Sequence, residues 1–207
     1  MRIGYLGGTF DPPHVGHLLV ASDAADALAL DRVVFVPNAR QPLKAEAPKS
    51  SPVDRLAMVR LATAGDPRFE VDAIEVERGG TSYTVDTLSA IAERTPGDER
   101  WFLVGADASR TFAQWREPRR IAQLARIAIM RRADGASAAS DAEVVSGIAT
   151  AVGPDVPPPA IVETRRVDVS STEVRERVRS GRSITGFVPE AVARFIAERG
   201  LYHTRQS

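Results

Sequence analysis

The stretch Ile3-Gly4-Tyr5-Leu6-Gly7-Gly8-Thr9-Phe10-Asp11-Pro12-Pro13-His14-Val15-Gly16-His17 decides how the rest of the chain is read. It opens with an apolar run, which predicts a short buried strand. The run breaks at Gly7-Gly8, where a backbone without side chains can approach a ligand closely. Pro12-Pro13 cannot continue a strand, but proline is tolerated in the first turn of a helix. Val15, Leu18, Leu19 and Leu28 then recur at helical spacing up to about Leu30. The expectation is strand, glycine turn, helix N-terminus. Such an end presents unpaired N–H groups and a partial positive charge, a ready site for phosphate. His14 and His17 are three apart, so on a helix they share one face, and the chain has only three histidines. Neither G-x-G-x-x-G after the first strand nor G-x-x-x-x-G-K-[ST] is present, so the turn calls for another class of nucleotide binder.

The rest of the composition bounds the answer. The chain has 207 residues, 43% hydrophobic and 26% charged, as in an ordinary globular protein with a sizeable core. We expect one domain over 1–207, with 165–207 a C-terminal helical portion. A net charge of zero excludes a global attraction to nucleic acid or to a membrane surface. Without cysteine there is no disulfide framework and no thiolate chemistry. No leader-like segment opens the chain, and no apolar run approaches the ~20 residues of a membrane span. These features fit a cytoplasmic protein.

Beyond the first helix, Arg32-Val33-Val34-Phe35-Val36-Pro37 reads as a second buried strand, giving a right-handed parallel strand–helix–strand unit. Ligands of open parallel sheets bind beyond the carboxyl ends of the strands. Residues 38–52 form a polar, proline-rich loop at that edge, and its Lys44 is a candidate phosphate clamp. Residues 53–64 read as a helix with Val53, Leu56, Val59, Arg60 and Leu61 as its markers. Phe69 to Val76 alternates like one or two short strands. After Gly79-Gly80, Ser82 or Thr84 can cap a helix bearing Val85, Leu88, Ile91 and Ala92. Trp101 to Gly105 is a further strand with Asp107 just past its end, and Arg126 to Arg131 another. A helix over 142–151 and a short strand at Ile161-Val162 precede Ser170-Ser171-Thr172-Glu173-Val174-Arg175. Ser170 with Glu173 reads as a capping box, whose helix start and Arg175 can hold a polyphosphate.

Gly7-Gly8-Thr9-Phe10-Asp11-Pro12-Pro13-His14-Val15-Gly16-His17 resembles the G-G-T-F-D-P-x-H-x-G-H signature of the H-x-G-H nucleotidyltransferase superfamily. Four further segments are similar to nicotinate-nucleotide adenylyltransferases within it. Gln41-Pro42-Leu43-Lys44 resembles a P-P-H-K-like segment, with Leu43 where the family has histidine. Thr81-Ser82-Tyr83-Thr84 resembles P-S-Y-T, with Thr81 for proline. Gly105-Ala106-Asp107 resembles G-x-D, and Val169-Ser170-Ser171-Thr172-Glu173-Val174-Arg175 resembles I-S-S-T-x-[IV]-R. The close, Phe187-Val188-Pro189 to Gly200-Leu201-Tyr202, is similar to the family's ending.

The resemblance implies an α/β fold, a Rossmann-like open parallel sheet with helices on both faces and a small C-terminal helical portion. It implies transfer of AMP from ATP to nicotinate mononucleotide, giving deamido-NAD and pyrophosphate. His14, His17 and Arg175 would be catalytic. Gly7, Gly8, Thr9, Phe10, Gly105, Asp107, Ser171 and Thr172 would join them in binding ATP. Lys44, Ser82, Tyr83, Thr84 and Trp115 would bind the mononucleotide, with the tryptophan stacked on the pyridine ring. Mg²⁺ would arrive with ATP, without a protein metal site. Alternatives are a superfamily enzyme acting on phosphopantetheine, which carries T-x-G-H, or on nicotinamide mononucleotide. A nucleotide-sensing module would not need both histidines.

Overall fold

The computed structural model describes residues 1–42, 47–132 and 141–203. In chain order the elements are β1 (Arg2–Gly8), α1 (Val15–Ala27), β2 (Arg32–Pro37), α2 (Pro52–Thr63), β3 (Phe69–Val71), α3 (Ile74–Arg78), α4 (Thr84–Arg94) and β4 (Glu99–Gly105). There follow α5 (Ala106–Ser109), a short 3₁₀ turn (Phe112–Gln114), α6 (Pro118–Leu124), β5 (Arg126–Arg132), α7 (Asp141–Val152), β6 (Ala160–Thr164), α8 (Ser171–Arg179) and α9 (Glu190–Glu198). The six strands form one sheet in the order β3-β2-β1-β4-β5-β6, and every pairing is parallel.

Strand side chains alternate between faces, and the chain supplies apolar residues to both. Ile3, Tyr5, Val34, Val36, Phe102, Val104, Ile127 and Ile129 meet Leu88, Ile91, Ile121 and Ile148 of α4, α6 and α7. Their neighbours Leu6, Val33, Phe35, Leu103 and Met130 turn the other way, onto Ala21 and Ala24 of α1 and Val59 of α2. A third cluster joins Met58 and Ala62 of α2 to Val174 and Val178 of α8 and Val192 and Ile196 of α9. The C-terminal helices are thereby fixed against α2, beside the carboxyl edge of the sheet.

Two sequence readings are corrected. Pro12-Pro13 lies outside α1, whose N-cap is His14. The carbonyls that would join a longer helix are used elsewhere: Ser171 Oγ donates to the Pro12 carbonyl at 2.8 Å and Arg175 Nη1 to the Asp11 carbonyl at 2.7 Å. The alternation over 69–76 is a three-residue strand followed by helix α3. The Asp72 carboxylate accepts from Ile74 N–H at 2.9 Å, and this local bond starts the helix where a second strand was expected.

Helix α2 also turns differently from its sequence markers: Val53 is 67% exposed, whereas Arg55 is 0% exposed. Arg55 lies on the buried stripe with Met58, Val59 and Ala62. Its Nη1 donates to the Thr9 carbonyl (2.7 Å) and to Asn38 Oδ1 (3.3 Å), and its Nη2 to the Ala39 carbonyl (2.9 Å). One guanidinium thus ties the turn after β1 to the exit of β2. Replacing it strands buried carbonyls at roughly 1–3 kcal/mol each. We predict that Arg55→Met lowers unfolding free energy by about 3 kcal/mol or more in urea titration. Arg55→Lys is predicted to recover little, because one ammonium lacks the planar fork.

Candidate active site

Between β1 and β4 the strand order reverses, and in open α/β sheets the crevice forms there. Two cavities adjoin at this edge. The first, about 220 Å³, lies among Gly7 and Gly8 of β1, Gly105 of β4, Ser82-Tyr83-Thr84 and Trp115. The second, about 760 Å³, lies among Thr9, Phe10, His17, Arg40, Ser171-Thr172 and Arg175. Gln41, Pro42 and Tyr83 line both and form the seam. A Cβ on Gly7 or Gly105 would meet no atom within 4 Å, so these two glycines leave the first cavity its room. Gly8 differs: a Cβ there would stand 2.7 Å from the Phe10 ring, so this glycine is what lets Phe10 pack.

The histidine pair is built from backbone and packing. His14, the N-cap of α1, donates its backbone N–H to His17 Nδ1 at 3.2 Å. A ring nitrogen that accepts carries no proton, so the neutral His17 ring holds its proton on Nε2. The two rings lie 3.8 Å apart between centroids with 33° between planes, and Phe10 meets His17 edge-on at 5.0 Å. A Cβ on Gly16 would stand 3.0 Å from His14 Nδ1, which is why the motif has glycine between its histidines. His14 is buried, and burial pushes its pKa down to about 4, so it is neutral near pH 7.

The second cavity is a cationic cleft. Arg175 Nη2 donates to Thr172 Oγ1 at 3.1 Å, in addition to the Asp11 carbonyl. Ser170 caps α8, its hydroxyl accepting from Glu173 N–H at 3.1 Å, which is the serine half of the capping box read from the sequence. Asp11 is the one carboxylate among the described lining residues, and its charge is spent inward. It accepts from Lys49 N–H (2.6 Å), from the Tyr202 hydroxyl (2.8 Å) and from the Ser50 hydroxyl. Burial, with Asp11 adding to it, pushes the Tyr202 phenol far up, so it remains a donor. No group of three or more His, Asp or Glu among the described residues is placed to hold a metal ion.

The first cavity is apolar with a polar end. Tyr83 is the N-cap of α4 and no side chain caps that helix, so the Ser82 or Thr84 cap read from the sequence is corrected. The Ser82 hydroxyl is instead buried and accepts from Ala39 N–H at 3.0 Å. Trp115 packs against Phe102 and Phe112, with its Nε1 donating to Thr111 Oγ1 at 3.2 Å. Glu75, unnoticed in the sequence, lines the same cavity and accepts from Thr87 Oγ1 at 2.6 Å. Burial pushes its carboxyl up, against the pull of the Thr87 and Ser82 hydroxyls.

The fold thus brings together most of the residues singled out in the sequence. His14 and Asp107 line neither cavity: His14 lies behind its partner's ring and Asp107 is exposed on α5. Leu43 and Lys44 lie outside the described residues. Missed in the sequence were Asp11, Asn38, Arg55, Glu75 and Tyr202. Asp11 and Tyr202 stand in segments that carry the family resemblance, though no role was read for either, and Arg55 carried a signal in its place on the apolar stripe of α2.

A family model described as cytidylyltransferase-like matches residues 5–177. The chain belongs to the cytidylyltransferase-like family. Among its curated members, the "Probable nicotinate-nucleotide adenylyltransferase" of Gemmatimonas aurantiaca is 48% identical over 206 residues, covering 98% of this chain and 92% of that protein. The protein of the same description from Thermus thermophilus is 42% identical, covering 98% and 100%. A Plasmodium falciparum nicotinic acid mononucleotide adenylyltransferase complexed with NaAD shares the family's fold, with a TM-score of 0.75, 16% identity and 97% of each chain covered.

The neutral His14 has a measurable consequence. Its folded pKa of about 4 lies below the ordinary 6.5, so the unfolded chain holds this proton more tightly. The stability it contributes is complete above about pH 6.5 and is lost as the pH falls toward 4, amounting to roughly 3 kcal/mol. We predict that His14→Asn flattens the loss of unfolding free energy between pH 7 and 4.5 relative to wild type, read from urea midpoints at each pH.

Proposed function

We propose that this nucleotidyltransferase transfers the adenylyl group of ATP to nicotinate mononucleotide, with the pyridine in the first cavity and the polyphosphate in the second. The single observation that carries the assignment is the seam. An apolar slot ending on an uncapped helix start adjoins a cationic cleft, and the relatives' description matches that pairing of ligands. A mononucleotide in the slot has its phosphate at the cleft.

An oxygen of that phosphate attacks the α-phosphorus of ATP. The new P–O bond forms as the bond toward the β-phosphorus breaks, and pyrophosphate leaves with the electron pair. The nucleophile belongs to the substrate, so no serine or cysteine needs activation. Catalysis is positioning plus charge stabilisation. His17 Nε2–H donates to the α-phosphate oxygens as charge grows there. His14 keeps that proton on Nε2 through its backbone N–H and braces the ring. Arg175 and the start of α8 at Ser171-Thr172 hold the β- and γ-phosphates, and Gly7 to Phe10 lie along the nucleotide. Gly105 of the first cavity and the exposed Asp107, which lies outside both cavities, would take the ribose and adenine on the family resemblance alone. Lys44 would close over the phosphates. Mg²⁺ would arrive with ATP rather than on a protein metal site, and would supply charge neutralisation to the pyrophosphate. The reading places the enzyme in the cytoplasm.

Backbone N–H groups at Tyr83-Thr84 and the dipole of α4 receive the pyridine carboxylate, a group that only accepts. Glu75 lines the same cavity, and burial pushes its carboxyl up. An amide would set its NH₂ against these donors, at roughly 1–3 kcal/mol, and lose up to about 2 kcal/mol of charge–dipole attraction.

Pyrophosphate release with nicotinate mononucleotide, nicotinamide mononucleotide and phosphopantetheine tests the assignment. The expected preference for nicotinate over nicotinamide mononucleotide is on the order of 10²-fold or more in kcat/KM; equal values overturn the carboxylate site. Trp115 meets a ring face that both share, so Trp115→Ala is expected to weaken both and leave the ratio nearly unchanged. His17→Ala is expected to lower kcat about 10²–10³-fold with unchanged circular dichroism, the usual cost of one lost transition-state donor. A loss below about fivefold would remove His17 from the mechanism.

A further inference from the structure

We propose that Arg40 binds the non-attacking oxygens of the acceptor mononucleotide's phosphate and holds that nucleophile at the seam of the two cavities. The inference rests on the adenylyltransferase reading above.

Arg40 leaves β2 on the segment that continues into the seam residues Gln41 and Pro42, and it lines the cleft beside Thr81. Its backbone is stitched in place: Ser82 N–H donates to the Arg40 carbonyl at 2.9 Å, next to the Ala39 N–H bond to Ser82 Oγ. Its Nη2 donates to Thr81 Oγ1 at 3.1 Å. Arg175, in the same cleft, is held in the same manner, by Thr172 Oγ1 at 3.1 Å. Neither guanidinium has a carboxylate partner among the described residues, whereas Arg32, Arg68 and Arg165 on the outer surface are each paired with an acid. A hydroxyl anchor occupies one donor and orients the fork without cancelling its charge, which leaves the rest for a bidentate oxyanion. A carboxylate anchor would neutralise it.

The position also fits one departure from the family pattern: Thr81, where the family has proline, supplies the hydroxyl that holds Arg40. The two arginines divide the cleft. Arg175 stands by α8 for the polyphosphate, and Arg40 stands in the cleft one residue before the seam, near which a phosphate attached to a nucleoside in the first cavity must lie. It needs no proton transfer, and it leaves one oxygen free to attack the α-phosphorus.

The test compares wild type with Arg40→Ala, Arg40→Lys and Thr81→Val. Steady-state pyrophosphate release gives kcat and both KM values, and calorimetry gives affinity for nicotinate mononucleotide and for nicotinate riboside, which lacks the phosphate. Arg40→Ala is expected to raise KM for the mononucleotide at least tenfold, with KM for ATP within twofold and thermal midpoint unchanged. Arg40→Lys keeps the charge but loses the fork and falls between. Thr81→Val frees the guanidinium and raises the same KM about threefold. Riboside affinity is expected to stay within twofold throughout. A wild-type enzyme that turns over the mononucleotide while Arg40→Ala leaves its KM unchanged overturns this inference alone, as does a rise confined to ATP or a matching loss of riboside affinity. Absence of wild-type turnover overturns the adenylyltransferase reading and this inference with it.

Discussion

A single buried cation holds the mouth of this protein in shape. Charge is costly to bury unless it is paired and hydrogen-bonded, yet the Arg55 side chain is fully enclosed. Burial works against its charge, and the nearby Asp11 carboxylate offsets that in part. The compensation comes chiefly from backbone: the Thr9 and Ala39 carbonyls belong to the turns that leave β1 and β2 beside the two cavities. Those turns have no regular structure to satisfy their carbonyls, so a planar fork from α2 does it for both. The wall carrying Thr9, Phe10 and His17 and the segment carrying Arg40 are thereby referred to one rigid group.

A second layer of order starts from Asp11. Its carboxylate gathers donors from Lys49, Ser50 and Tyr202, and its own carbonyl accepts from Arg175. The loop before α2, the close of the chain and helix α8 are thus joined at one buried residue beside the cleft. The acid that might have opposed an anionic ligand is consumed by structure, while the arginines facing the cleft are anchored on hydroxyls and carbonyls. The cleft stays positive in a chain whose net charge is zero. Charge sorting, not composition, makes the site.

His14 and His17 show how a short motif becomes chemistry. Spacing alone would place two similar imidazoles on one helix face. In the fold they are unlike: His14 caps the helix and is buried and neutral, and His17 faces the cleft. The glycine between them is a matter of volume, since its missing Cβ is where the His14 ring rests.

What the sequence determined by itself was the local grammar. Apolar runs on both faces of Ile3–Leu6, Arg32–Pro37 and Trp101–Gly105 required buried parallel strands, because antiparallel strands with one wet face would alternate. The strand ends carried glycines and polar residues, so the ligand edge was legible, as were the capped start of α8 and the histidine pair. Long-range pairing was not. Arg55 reads as a helix cation until the turn carbonyls it serves are in place, Glu75 as one acid of a polar stretch, and Tyr202 as a tail residue until its hydroxyl reaches Asp11. Ser82 has the look of a cap, yet its partner is Ala39, far away in the chain. Such choices belong to the tertiary structure, because a buried polar group takes whichever partner the packing of distant segments brings within reach, and no local pattern records that partner.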